Sequence, residues 1–102
     1  QHQLNNLFII IDNNGLQGLG NGSEIMGDLA QTFSSRKDLN YIEIDGHKEV
    51  DIKNALQIES VYPTLINAKT VKGKGVRFAE NNNDWHYEKL SEEQYKNALS
   101  QL

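Results

Sequence analysis

The chain has 102 residues, 37% of them hydrophobic, and sets 10 Lys and Arg against 14 Asp and Glu for a net charge of -4. That length makes one domain or part of one. The scattered charge, with no basic stripe, excludes a nucleic-acid partner, and zero cysteines exclude disulfides, thiolate metal sites and thiol nucleophiles. No apolar stretch is long enough for a bilayer and no charged-then-apolar leader opens the sequence, so no membrane partner is expected and the cytoplasm is the expected compartment. The modest apolar fraction leaves a small core or a fragment that relies on a partner. With no Met at position 1 and a strand almost at once, the expectation is a fragment with something upstream.

Residues 1–6 read as a helix tail or linker. Leu7 to Ile11 form an unbroken apolar run, rich in β-branched and aromatic residues, which predicts a strand over 7–12 buried on both faces, as in a parallel sheet. The run stops at Asp12, Asn13 and Asn14, at the carboxyl end of the strand, where parallel sheets hold ligands. The same residues also suit an ordinary turn. Gly15, Gly18, Gly20 and Gly22 follow, too dense for helix or strand and spaced three, two and two, which is not the dinucleotide fingerprint.

Ser23 is placed to cap a helix over 23–35, with Ile25, Met26, Leu29, Ala30 and Phe33 on its core face. A second strand is predicted at 40–45, ending in Asp45-Gly46-His47. A helix over 48–58 follows, with Ile52, Ala55, Leu56 and Glu59 at helical spacing, and the pattern stops by Tyr62-Pro63 because the residue before proline is pushed out of the α region. Residues 64–69 supply the third strand. Alternating strands and helices predict an α/β fold, a parallel sheet with flanking helices and right-handed crossovers.

The loop Lys69-Thr70-Val71-Lys72-Gly73-Lys74-Gly75-Val76 pairs cations with glycines and suits either an anion or a solvated basic turn. Asn81–Asn83 form a polar link and Trp85-His86-Tyr87 an aromatic cluster. Ser91 and Gln94 match a capping box for a last helix over 91–101, with Tyr95, Ala98, Leu99 and Leu102 on its inner face.

Four pieces in order, Asn6-Leu7-Phe8-Ile9-Ile10-Ile11-Asp12-Asn13-Asn14-Gly15-Leu16-Gln17-Gly18, Glu43-Ile44-Asp45-Gly46-His47, Ala68 to Val76, and Glu80-Asn81-Asn82 with Trp85-His86, resemble transketolases. The likeness is specifically to the N-terminal subunit of the split, two-gene type, and it covers nearly the whole chain. The resemblance implies a thiamine diphosphate-binding fold, Mg2+ and the transfer of two-carbon ketol units between sugar phosphates. It implies that Asn14 offers its side-chain oxygen and Leu16 its carbonyl to Mg2+, that both help bind the cofactor, and that His86 lies near the diphosphate and substrate as a catalytic and cofactor-binding group. In many relatives glycine follows that histidine, where this chain has Tyr87, and a structural histidine is the competing reading for His86. Asp12 and Asn13 are left to shape the turn, His47 to a structural or capping role, and His2 has no context.

The family's cofactor motif opens with Gly-Asp-Gly, which no segment here supplies, and the family's activating glutamate belongs to a pyrimidine-binding half that is also missing. Residues 1–102 therefore correspond to the C-terminal half of a diphosphate-binding domain, expected to be inactive alone and to join complementary transketolase chains in an oligomer. Two other readings stand beside it. One is a non-catalytic interaction subunit that retains the fold, and the other is a different thiamine diphosphate-dependent enzyme, such as a decarboxylase or a deoxyxylulose-phosphate-type synthase.

Overall fold

In chain order the elements are β1 (Phe8–Asn13), β2 (Leu16–Gln17), β3 (Gly20–Asn21), α1 (Leu29–Phe33), β4 (Asn40–Asp45), α2 (Glu49–Leu56), β5 (Thr64–Lys69), a 3-10 turn (Asn83–His86) and α3 (Glu92–Leu99). The computed structural model describes residues 4–17, 20–21 and 28–102. The predicted strands at 40–45 and 64–69 agree with β4 and β5, and β1 runs one residue later than expected at each end. The main sheet has the order β1-β5-β4, with both pairings parallel. This is the predicted α/β architecture with flanking helices.

Because β5 lies between two neighbours, its backbone and side chains are shielded from water: Thr64, Leu65, Ile66, Asn67 and Ala68 are all buried. Among the described residues each helix contributes one buried residue, Leu29 from α1, Ala55 from α2 and Ala98 from α3. In the register, Asn13, Lys69 and Asp45 stand in one row. The carboxyl ends of all three strands therefore meet at one edge of the sheet, where parallel sheets present ligand-binding loops.

Several expectations need correction. β1 is not covered on both faces, since Ile9 is 41% and Ile10 58% exposed. Its apolar residues follow from the strand tendency of Ile and Phe, but among the described residues it has a neighbour on one side only. The inner face predicted for the last helix is mostly open too: only Ala98 is buried, while Tyr95, Leu99 and Leu102 are exposed. On α2, Ala55 is buried but Ile52 and Leu56 are exposed. The dense glycines do not rule out extended pairing, because β2 and β3 form a short antiparallel ladder, Leu16 opposite Asn21 and Gln17 opposite Gly20. Glycine is poor inside a strand, but two residues ask for very little ladder.

Helix starts follow local chemistry. Asp28 caps α1, its carboxylate accepting from the Ala30 and Gln31 N–H groups. The expected cap at Ser23 and the first part of the 23–35 helix, with Ile25 and Met26, lie outside the described residues, as does His2. Both arms of the capping box form on α3: Ser91 N–H donates to Gln94 and the Gln94 N–H donates to the Ser91 hydroxyl. No helix among the described residues is long and apolar enough to cross a membrane. The radius of gyration is 16.7 Å, well above the value of about 13 Å expected for a closed domain of ~100 residues.

Candidate functional site

The turn after β1 is built by its own side chains. The Asn14 Oδ1 accepts the Leu16 N–H at 3.0 Å, closing an Asx-type turn of the kind Asn favours. Gly15 takes φ +71°, the left-handed region where glycine is unstrained. Nothing lies within 4 Å of a Cβ built there, so the glycine serves the backbone angle and not a tight fit. The Asn14 oxygen keeps a second lone pair, and the Leu16 carbonyl lies two residues further along. Asn14 and Leu16 are brought together as a unit.

Residues on either side hold this unit in place. The Thr70 hydroxyl donates to the Asp12 carboxylate, and the Thr70 N–H donates to the Asn13 carbonyl at 3.1 Å. Asp12 is thus engaged across the sheet, 58 residues away in sequence. From the β4 side, the Gly46 N–H donates to the Lys69 carbonyl at 2.7 Å. The His47 Nε2 accepts the Val71 N–H at 2.7 Å, so His47 clamps the start of the lysine loop.

The lysine loop itself is largely self-satisfied. The N–H groups of Lys74 and Val76 donate to the Val71 and Gly73 carbonyls, and the Gly75 N–H donates to the Glu80 carboxylate at 3.1 Å. An internal carboxylate already sits on a backbone donor that an anion would need. Asn81, at φ +54°, donates its N–H to the Lys72 carbonyl. The Glu80-Asn81 pair therefore folds the loop back on itself.

The aromatic cluster divides. The Trp85 indole donates to the Phe78 carbonyl at 3.0 Å and its ring packs 5.0 Å from the Phe78 ring. His86 and Tyr87 are both exposed, with ring centroids 4.5 Å apart in an edge-on arrangement. Among the described residues, no hydrogen bond or ring contact joins His86 to Asn14 or Leu16.

On one face of the sheet lies a polar cluster that the sequence did not signal. Asn67, 2% exposed, donates from Nδ2 to the Tyr41 hydroxyl at 2.9 Å and to Glu43 at 3.2 Å. Its Oδ1 is buried with no hydrogen-bond partner among the described residues. Lys69 reaches Glu43 at 2.8 Å, and the hydrogen bond to Glu43, the charge of Glu43 and the nearby Tyr41 and Asp28 raise the Lys69 ammonium pKa above its ordinary value. A cleft of about 580 Å³ opens beside this cluster, lined by Glu43, Asp45, His47, Asp51, Lys69 and Lys74 among others. Asn14, Leu16 and His86 do not line it. Period-2 spacing would have put Tyr41 with Glu43, and Asn67 with Lys69, on common faces, but only the register brings the pairs together.

Over residues 1–102 the chain matches the family described as transketolase, thiamine diphosphate binding domain. It is 31% identical over 111 residues to one subunit of the apulose-4-phosphate transketolase of Phocaeicola vulgatus, covering all of this chain and 38% of that protein. With the protein of the same name from Actinobacillus succinogenes it shares 28% over 107 residues, again covering all of this chain and 38% of the relative. The chain thus spans well under half the length of these relatives. The match along the whole chain and the parallel sheet with its strand-end turns agree, and the chain belongs to the transketolase thiamine diphosphate-binding domain family.

Proposed function

We propose that this chain is the C-terminal half of a transketolase diphosphate-binding domain. Completed by polypeptide that carries the Gly-Asp-Gly segment and the pyrimidine-binding half, it takes part in moving two-carbon ketol units between sugar phosphates, and it is inactive alone. The observation that carries this reading is the Asn14 turn at the carboxyl end of a parallel strand. Mg2+ prefers oxygen ligands in an octahedral shell, with few from protein and the rest from phosphates and water. The second lone pair of Asn14 Oδ1 and the Leu16 carbonyl are neutral oxygens that fit such an ion, leaving its charge for a diphosphate.

When bound, thiamine diphosphate supplies the electron sink for making and breaking a carbon–carbon bond beside a carbonyl. The protein's part is placement. Asn14 and Leu16 would hold the metal end, Asp12 and Asn13 shape the turn that carries them, and the exposed His86 would donate a hydrogen bond to negative charge on diphosphate or substrate. Two further features support completion by other chains. The relatives are named as transketolase subunits, and among the described residues β1 exposes Ile9 and Ile10 and has an unpaired backbone edge, which invites pairing.

Calorimetric titration of thiamine diphosphate with Mg2+ into the reconstituted assembly tests the assignment. Asn14→Ala removes one ligand and is expected to lower affinity about tenfold or more, the scale of a lost charge-assisted contact, whereas Asn13→Ala leaves the metal ligands in place. Equal affinity for Asn14→Ala and the parent would remove Asn14 from the site. A purely docking role for the chain predicts that equality, so the same titration separates the two readings.

A further inference from the structure

We propose that Thr70 is the positioning residue of the Asn13–Asn14–Gly15 turn, tying the carboxyl end of β1 to β5 so that the Asn14 oxygen is held ready for a divalent cation. The functional half of this inference rests on the reading of Asn14 as a metal ligand. The structural half stands on contacts alone.

Thr70 grips β1 twice. Its hydroxyl donates to the Asp12 carboxylate and its N–H donates to the Asn13 carbonyl at 3.1 Å. The second bond fixes the peptide plane between Asn13 and Asn14, because a planar peptide moves as one body. The only soft backbone angles left before Gly15 are those of Asn14 itself, and the Asx bond from Leu16 N–H to Asn14 Oδ1 closes them. Thr70 therefore anchors the turn from behind while the Asx bond closes it in front.

Thr70 is in turn located from the β4 side. A Cβ at Gly46 would meet the Thr70 Cγ2 at 2.5 Å and the Lys69 carbonyl at 3.1 Å, so the β4 turn is pressed against the threonine. The residues flanking Thr70 are both tied to that turn, Lys69 through its carbonyl to Gly46 N–H and Val71 through its N–H to His47 Nε2. This makes a continuous path from the Asp45-Gly46-His47 turn through Thr70 to Asn14. Serine would keep the hydroxyl and valine would keep the shape, which makes the two roles of the side chain separable.

Amide hydrogen exchange on the full chain, read residue by residue by NMR, tests this without any cofactor. In Thr70→Val the Leu16 amide, bonded to Asn14, is expected to exchange about tenfold faster, the scale of losing a hydrogen bond to a charged group, while the Ile66 amide in the sheet centre keeps its parent rate. Thr70→Ser is expected to restore the Leu16 rate. Parent-like Leu16 exchange in Thr70→Val, or a Thr70→Ser that behaves like Thr70→Val, overturns the positioning role. Should Thr70→Val speed Ile66 as well, Asp12→Ala removes the acceptor at an exposed site and reads the same bond. Leu16 exchange must then rise, and an unchanged rate overturns the proposal. In the reconstituted assembly, Thr70→Val is expected to weaken Mg2+–thiamine diphosphate binding and Thr70→Ser to recover it. If Leu16 exchange responds as expected but Asn14→Ala binds the cofactor like the parent, the metal reading fails and the positioning of the turn stands.

Discussion

β1 and β5 lie side by side in one sheet, in register from Phe8 opposite Thr64 to Asn13 opposite Lys69. By sequence β1 is the more apolar, with three successive isoleucines, and yet β5 is the buried one. Ile66 is 1% exposed and Ile10, its register partner, 58%. The difference teaches that an apolar run specifies a strand, whereas burial is decided by what lies on either side of it. Among the described residues β5 has β1 and β4 as neighbours, and β1 has β5 alone.

The largest expected effect is on the buried side of that pair. Ile66→Ala removes side-chain atoms from a site that cannot refill and is expected to cost about 2–5 kcal/mol, while Ile10→Ala at the open site is expected to cost less than about 1 kcal/mol. Urea denaturation followed by circular dichroism reads both, and equal costs would break the comparison. Next comes the strand-end junction. Gly46→Ala would drive a methyl group into Thr70 and the Lys69 carbonyl, with an expected loss of about 1–3 kcal/mol by overpacking, seen as a lower midpoint in the same experiment.

The smallest effect concerns Lys69, whose ammonium lies beside Glu43 at 2.8 Å but is largely exposed. Its pKa is raised, first by the hydrogen bond to Glu43 and then by that residue's charge. The stabilisation is therefore fully present below the unfolded-state pKa and is lost as pH rises through the folded value, at strongly alkaline pH. Exposure screens the pair. Comparing parent and Lys69→Met in alkaline denaturation is expected to show a small excess loss in the parent, and the same slope in both would remove the pair from the account.

Much of the fold was legible because its signals are local. Asn40–Asp45 and Thr64–Lys69 are short, β-rich and bounded by turn residues, and Ser91 with Gln94 forms a capping box within one helical turn. The turn at Asn14 was legible for the same reason, since an Asx closure needs only three consecutive residues. What escaped depends on register between distant segments. The Thr70–Asp12 bond and the Asn67–Tyr41–Glu43 cluster join different strands, and no spacing along one strand announces them. The exposure of Tyr95 and Leu99 on α3 and of Ile9 and Ile10 on β1 was hidden because amphipathic spacing marks a face without saying what covers it. For His86, sequence likeness alone suggested a site, and its ring is exposed and packs edge-on against Tyr87.

We propose that β1 is an interior strand of a larger sheet, finished by polypeptide carrying the rest of the domain. Leu7 and Asn13 give their carbonyls to Thr64 and Thr70, and strand alternation then turns the backbone of Phe8, Ile10 and Asp12 towards the open edge. Residue-resolved hydrogen exchange is the most direct test. In the chain alone, the amides of Phe8, Ile10 and Asp12 are expected to exchange rapidly while Ile66 is protected. On adding the complementary transketolase polypeptides, the three edge amides are expected to slow towards the Ile66 rate. Edge amides already as protected as Ile66 in the chain alone, or unchanged on reconstitution, would contradict the account.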